Sequence, residues 1–536
     1  MIDFGDFVKN AALAGTSRAL IDPATLDVIL TSHGKSLLAS PHRPPTLVML
    51  GDSTFSYVNV TSPSATSIVY NGDGTATATF TIDQGLRAGD KIGIQGCVDG
   101  GYNVPVGKPL LSVTGSGPYQ YTYAINPAQV PQTSPDTSNA VTMMFEHQKS
   151  AYTLVGNLRF LAGPQFRIIS CGLGGNTSSD LVARFARDVA PLHPDEVAVT
   201  YGINDIYKGI PAATSQANLA TLWAYCKAIG ARMRLIAMPP QPSTRAGWTT
   251  ATRDAAIALR KYMRIFARKR GIAFHDWSSV AAGSETAQNP TDANANPSTG
   301  MINTGDGVHP TNKLGYLLAK EIVTDLRSIY PIVGNTLPVN VTDGGLFSNP
   351  LFTGSGGTAP IAPVSGTIPD TCAVTVTAGS PSSVVCSQVA RTVANDGDAA
   401  GNWFQIVFTA AAAGDQIRLA LQDTHTAMAN GNTYAFQLQA RITAGATFCK
   451  EFRVDAVEQN NSSINITHQI QACTGTQAAP WPENFSGVFA DDMTMRSSAN
   501  VPGTITVFSP RVYVTAAAAG AITIQVARAA LDLVTS

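Results

Sequence analysis

The chain has 536 residues, too many for one domain, and 44% of them are apolar, enough for several buried cores. Only 13% are charged and the formal net charge is −1, so neither nucleic acid nor an anionic membrane is an expected partner. No apolar run approaches the roughly 18 residues of a membrane span, and the start Met1-Ile2-Asp3-Phe4-Gly5-Asp6 has no secretory-signal pattern; any export is expected to follow a route without a signal.

Residues 1–42 carry no strong periodicity and are expected to form an N-terminal arm with short helices. The cluster Pro41-His42-Arg43-Pro44-Pro45 punctuates its end. The apolar run 47–50 then reads as a fully buried strand that stops at Gly51. Asp52 and Ser53 follow where the strand gives way to a loop, and ligands of open α/β sheets bind just beyond the carboxyl ends of the strands.

From 56 to 149 the pattern is short alternating segments, such as 75–82, 91–95 and 119–123, separated by turns such as Asn71-Gly72-Asp73-Gly74. An all-β module is expected here, inserted just after the strand that ends at Gly51. Its stretch 85–94, with Gly100-Gly101-Tyr102-Asn103 and the strand 119–123, resembles a small β-barrel repeat of phage tail proteins. Tyr102 and Asn103 are its candidate substrate contacts.

Strands alternate with helices again from about 150 to 332. The strands are expected at 166–170, 196–200, 233–238 and 272–275, and the helices at 180–188, 219–229, 252–269 and 313–330. With 43–55 this makes an α/β domain, a mostly parallel sheet with helices on both faces. From 333 to 536 the pattern is all-β, with strands expected at 403–408, 433–438, 504–508 and 511–514 after a Gly/Ser-rich connection, 344–357. A β-sandwich is the natural reading, similar in general look to carbohydrate-binding jelly-roll modules. Seven cysteines show no metal-ligand spacing. Cys372 and Cys386 are placed to pair across a hairpin, but buried free thiols account for them equally well.

Four short motifs occur in order on the α/β part: Gly51-Asp52-Ser53, Gly174-Gly175-Asn176, Gly202-Ile203-Asn204-Asp205 and Asp306-Gly307-Val308-His309. Singly, each has a plain structural reading: a tight turn at 174–175, a helix cap at Asp205, a turn at Asp306, a loop histidine before Pro310. Together they resemble the SGNH hydrolases, the GDSL-type esterases. That resemblance implies a flavodoxin-like three-layer fold and no cofactor, and no metal is expected because the acidic residues and histidines do not cluster with ligand spacing. It makes Ser53 the nucleophile, His309 the base and Asp306 the carboxylate that orients the imidazole. The backbone N–H groups of Ser53 and Gly175 and the amide of Asn204 become the oxyanion donors. The chemistry is intelligible, because a serine hydroxyl needs a base to take its proton. Imidazole titrates near neutrality, and an ester's oxyanion needs preorganised donors. Thr54 and Asn176 depart from the family's usual leucine and acidic residue, without removing a catalytic atom. His275, beside Asp276, is the one other histidine with an adjacent acid in this part, and its place at a strand end reads as structural.

The implied activity is ester hydrolysis. Two flanking β modules favour removal of O-acetyl groups from a polysaccharide such as capsule or O-antigen. The tail-like insertion favours a phage tail or prophage protein acting at the bacterial surface, a homotrimer if it is a tail component. A lipase or carboxylesterase of small or lipid esters, and a glycan-binding virion protein with a vestigial site, are the alternatives.

Overall fold

The structure is a computed structural model. It describes residues 20–21, 28–29, 44–55, 65–80, 88, 91–95, 97–115, 118–125, 130–131, 135–136, 142–145, 154–241, 245, 247–282, 301–302, 309–330, 337–358, 360–421, 428–429, 432–460, 465–474, 481–494 and 505–534. Of the expected N-terminal arm, 1–42, only the antiparallel pair β1 (Leu20–Ile21) and β2 (Val28–Ile29) is described; the short helices expected there lie outside the described residues. β3 (Thr46–Gly51) is buried at every position. An alternating six-stranded sheet follows, formed by β4 (Ser67–Tyr70), β5 (Thr75–Phe80), β6 (Lys91–Gln95), β7 (Val104–Thr114), β8 (Tyr119–Ala124) and β9 (Thr142–Phe145). In β5, Ala76, Ala78 and Phe80 point into the core while the threonines between them do not, the period of two expected of a half-buried strand.

The α/β part continues with α1 (Leu154–Ala162), β10 (Arg167–Gly172), α2 (Ser178–Asp188), β11 (Glu196–Thr200), α3 (Ile203–Tyr207) and α4 (Ala212–Ala228). Then come β12 (Arg232–Ala237), α5 (Thr250–Arg270), β13 (Ala273–Asp276), α6 (Trp277–Ala282) and α7 (Asn312–Ile329). The sheet runs β10-β3-β11-β12-β13, parallel throughout. This is the doubly wound order in which the first strand lies between the second and third. Alternate residues of β3 explain the layering. Leu47 and Met49 pack against α1, α6 and α7, while Val48 and Leu50 pack against α2, α4 and α5. Among the described residues no helix is long and apolar enough to cross a membrane.

The remaining strands are β14 (Val364–Gly366), β15 (Cys372–Ala378), β16 (Ser383–Ala390), β17 (Asn402–Ala410), β18 (Gln416–Leu421) and β19 (Thr433–Ala444). After them come β20 (Cys449–Asn460), β21 (Asn465–Thr474), β22 (Phe485–Thr494), β23 (Ile505–Ala516) and β24 (Gly520–Leu533). One sheet has the order β14-β16-β17-β24-β19-β22 and the other β15-β18-β23-β20-β21. Both contribute to one core, in which Phe404, Phe408 and Phe436 of the first meet Ile417, Phe452 and Val514 of the second. The two strands expected at 504–508 and 511–514 are one. Pro510 is accommodated because the ladder to β18 begins only at Arg511. The connection 344–357 is packed rather than loose, since Phe347, Leu351 and Phe352 are buried. Cys372 and Cys386 are buried free thiols.

Candidate active site

The strand order places the carboxyl ends of β10, β3 and β11 side by side. The three loops that leave them carry the first three motifs. At the end of β3, Asp52 accepts hydrogen bonds from Thr54 N and Thr54 Oγ1, each 2.9 Å, and Phe55 N closes the turn on Asp52 O at 3.2 Å. The turn holds Ser53 half-exposed at the strand tip. Burial pushes the Asp52 carboxyl above the usual range against those two bonds; His309 pulls it back down and Asp205 pushes it further up. Gly51 is dictated by close approach, because a Cβ there would lie 2.5 Å from Thr200 Cγ2 and 2.7 Å from Phe55 Cδ2.

The loop after β10 runs along Ser53: a Cβ on Gly174 would stand 4.0 Å from Ser53 Cβ. Gly175 adopts φ +75°, a left-handed conformation that favours glycine. Asn176 Oδ1 accepts from Arg184 Nε at 2.7 Å, and Arg184 Nη2 donates to Gly51 O at the same distance. Arg184 is 2% exposed and pairs with Asp188 four residues on. One buried guanidinium of α2 therefore ties the nucleophile turn to the neighbouring loop. Lys108 of β7 reaches Asp188 at 2.8 Å, which anchors the inserted sheet to the same network.

After β11, Asn204 Nδ2 donates to Asn176 O at 3.0 Å. Asp205 caps α2 rather than its own helix, accepting from Ser178 N at 2.7 Å and Ser178 Oγ at 2.6 Å. His309 precedes α7, whose N-cap is Thr311, and Thr311 N bonds Met301 O at 2.9 Å. His309 Nε2 lies 2.8 Å from Ser53 Oγ. With the ring proton on Nδ1, the hydroxyl donates to Nε2, the arrangement a base needs before taking that proton. Asp306 lies outside the described residues.

Tyr102 and Asn103 both lie in the inserted module. Tyr102 is fully buried in the core of the inserted sheet, and Asn103 Oδ1 accepts from Cys97 N at 3.2 Å. A small module needs its aromatic rings for packing, and these two side chains serve the insert itself. Tyr207 stands one helical turn beyond Asn204. Tyr207 stacks on Trp248 with ring centroids 6.1 Å apart, and the Arg245 guanidinium lies 4.0 Å over the Tyr207 ring. No local pattern marks them, because the contact joins α3 to the segment before α5. A cavity of about 680 Å³ beside β13 and α7 is lined by His275, Lys320, Glu321 and Asp325 and includes none of the serine-site residues. His275 Nδ1 is 2.8 Å from Glu321 and its Nε2 contacts Arg234, so it is structural. Among the described residues, no group of three or more His, Cys, Asp or Glu side chains is placed to hold a metal ion.

Residues 152–316 match the model of the GDSL-like Lipase/Acylhydrolase family. The chain carries a GDSL-like lipase/acylhydrolase domain. The matched span contains Gly175, Asn204 and His309 and begins after the insertion, beyond Ser53. A GDSL-like lipase from Bacteroides thetaiotaomicron is similar at 24% identity, over 30% of this chain and 76% of that one, with a TM-score of 0.25. An acetylxylan esterase from Geobacillus stearothermophilus is similar at 17% identity, over 54% of this chain and 94% of that one, with a TM-score of 0.29. Among curated proteins no relative matches the chain.

Proposed function

We propose that the protein is a serine esterase that removes O-acetyl groups from a polysaccharide, and that Ser53 forms the acyl-enzyme. The observation that carries the reading is the 2.8 Å contact between Ser53 Oγ and His309 Nε2 at the tip of β3. His309 takes the hydroxyl proton as Oγ attacks the ester carbonyl, then gives it to the departing sugar alkoxide. A water activated by the same imidazole releases acetate. The backbone N–H groups of Ser53 and Gly175 and the Asn204 amide are the oxyanion donors in this reading. A side-chain amide has two N–H groups. Asn204 gives one to Asn176 O, and the other serves the oxyanion. Asp306 is assigned to the other imidazole nitrogen.

The polymer substrate is supported by the extent of β structure around the domain, one sheet inserted beside the nucleophile and two beyond α7. Capsule or O-antigen, a phage-tail or prophage setting and a homotrimer complete the proposal. It is tested by hydrolysis of 4-nitrophenyl acetate, butyrate and octanoate by wild type and Ser53→Ala. A preference for acetate is expected, with turnover at least ~10³-fold lower in the variant, since removing a serine nucleophile can cost on the order of 10⁶ in kcat. A preference for octanoate would replace this reading with a lipase. Turnover unchanged by Ser53→Ala would remove the serine mechanism.

A further inference from the structure

The outer face of the second C-terminal sheet carries polar side chains whose pairing stops short. On β15, β18, β23 and β20 the residues between the core positions point away from the shared core. Register aligns Thr375, Arg418, Tyr513 and Arg453 in one row, and Ala420, Arg511 and Asp455 in the next. A third row is closed. Gln416 Nε2 donates to Thr515 Oγ1 at 2.7 Å, Thr515 Oγ1 donates to Glu451, and Arg453 Nη1 reaches Glu451 at 2.8 Å.

The first two rows are only partly paired. Among the described residues, Thr375 Oγ1, Arg418 Nε, Arg453 Nε, Arg511 Nε and Asp455 Oδ1 are buried atoms with no hydrogen-bond partner, while Arg453 bonds Glu451 through Nη1 and lies over the Tyr513 ring. Among the described residues, neither Arg418 nor Arg511 is in ion-pair contact with a carboxylate. Asp455 is 7% exposed, and its nearest guanidinium contact is Arg453 Nε at 4.0 Å from Oδ2. Burial pushes its carboxyl up to about 6 although Arg453, Arg511 and Arg418 all act against that. Groups of this kind are normally satisfied in a working protein.

We propose that this face binds an acidic saccharide, with Arg418 and Arg511 holding a carboxylate of the chain and Asp455 accepting its hydroxyl groups. Three guanidinium groups face two carboxylates here, a local positive excess on a chain of net charge −1. Forked guanidinium donors match carboxylate geometry. A sugar hydroxyl can donate to Asp455 and Glu451, which a polyphosphate, with acceptor oxygens only, cannot do. The centre of the face is charged, unlike the apolar, charge-depleted centre of a protein interface. From Arg418 to Arg453 the row crosses two strand spacings, roughly 10 Å, with Tyr513 between them. The choice of a saccharide rests on the polysaccharide reading above; the groups left without partners do not.

The test is native affinity electrophoresis of the full chain in gels containing polygalacturonate, with dextran as the neutral control. Retardation by polygalacturonate alone is expected. The Arg418→Gln/Arg511→Gln double variant should bind at least about tenfold more weakly and keep its turnover of 4-nitrophenyl acetate. Should the double variant not fold, each single substitution serves, with a severalfold loss expected. No retardation of wild type, or equal retardation of wild type and variant, overturns the inference. A change of mass by light scattering with saccharide binding intact would also overturn it and mark the face as a subunit contact. Because binding is read without turnover, retention by an inactive protein would count against the esterase reading alone.

Discussion

Asn204 can be separated from the residues around it, because the two N–H groups of its amide have different duties in the proposed reading. Replacement by alanine removes the proposed oxyanion donor together with the 3.0 Å bond to Asn176 O, while Ser53 and His309 keep their contact. Loss of one oxyanion donor lowers kcat by about 10²–10³. Asn204→Ala is therefore expected to lose that much kcat on 4-nitrophenyl acetate with little change in KM. A rise in KM at constant kcat would show that Asn204 binds substrate instead. Ser53, Gly175, Asn204 and His309 were legible in the sequence because each belongs to a motif at a loop where a strand ends. Asp52 and Arg184 were not. The role of Asp52 is set by a turn whose side-chain bonds have no spacing signal, and Arg184 acts on Gly51, 133 positions away. Nor does Tyr102, an aromatic beside glycines, show in the sequence that its ring is buried in the core of the inserted sheet.

The elements were most legible where the apolar stripe was strong. α7 and β11 fall within a residue of their expected bounds, whereas α4 starts at Ala212, well before the expected 219. Its first two turns are small and polar, so they show no periodicity and are held after Pro211 by tertiary contacts. Nor did the sequence show what joins β12, β13 and α7. There Arg234 bonds Glu196 and Asp325, and His275 sits between Arg234, Glu321 and Asp325. Burial lowers the His275 pKa, but its bonds to Asp325 and Glu321 outweigh it, and the net shift is upward despite repulsion from Arg234. A histidine whose folded pKa is raised contributes stability that is fully present below its ordinary value of about 6.5 and is lost as pH rises through the folded pKa. The melting temperature should therefore fall as pH is raised from about 6.5 into the alkaline range, and Glu321→Gln should flatten that fall. Parallel melting curves for wild type and variant across the range would remove His275 from the account.

The whole molecule is joined by an aromatic contact rather than by a tether. Phe160 of α1 belongs to the core of the C-terminal sheets and touches both of them. Its ring lies 4.7 Å from Phe489 and 5.6 Å from Phe485 in one sheet, and 6.3 Å from Phe452 in the other. Tyr316 of α7 meets Trp481 edge-on at 5.6 Å and donates its hydroxyl to Glu483 at 3.0 Å, where Lys320 also binds at 2.7 Å. The approach is close enough that a Cβ on Gly487 would lie 2.5 Å from Phe160 O. These partners are more than a hundred positions apart in the chain, so no local pattern announces them. Their consequence is mechanical: the sheets beyond α7 are held at a fixed position relative to Ser53, and a polymer lying on them would meet the esterase site in one geometry. Deleting a buried phenylalanine ring costs about 3–5 kcal/mol. In wild type that coupling should make the α/β part and the C-terminal sheets unfold in one calorimetric transition. Phe160→Ala should lower it and resolve it into two, because the cavity falls at the junction and leaves each separate core largely intact. Two transitions already present in wild type, or one unchanged transition in the variant, would show that the ring does not couple the two parts.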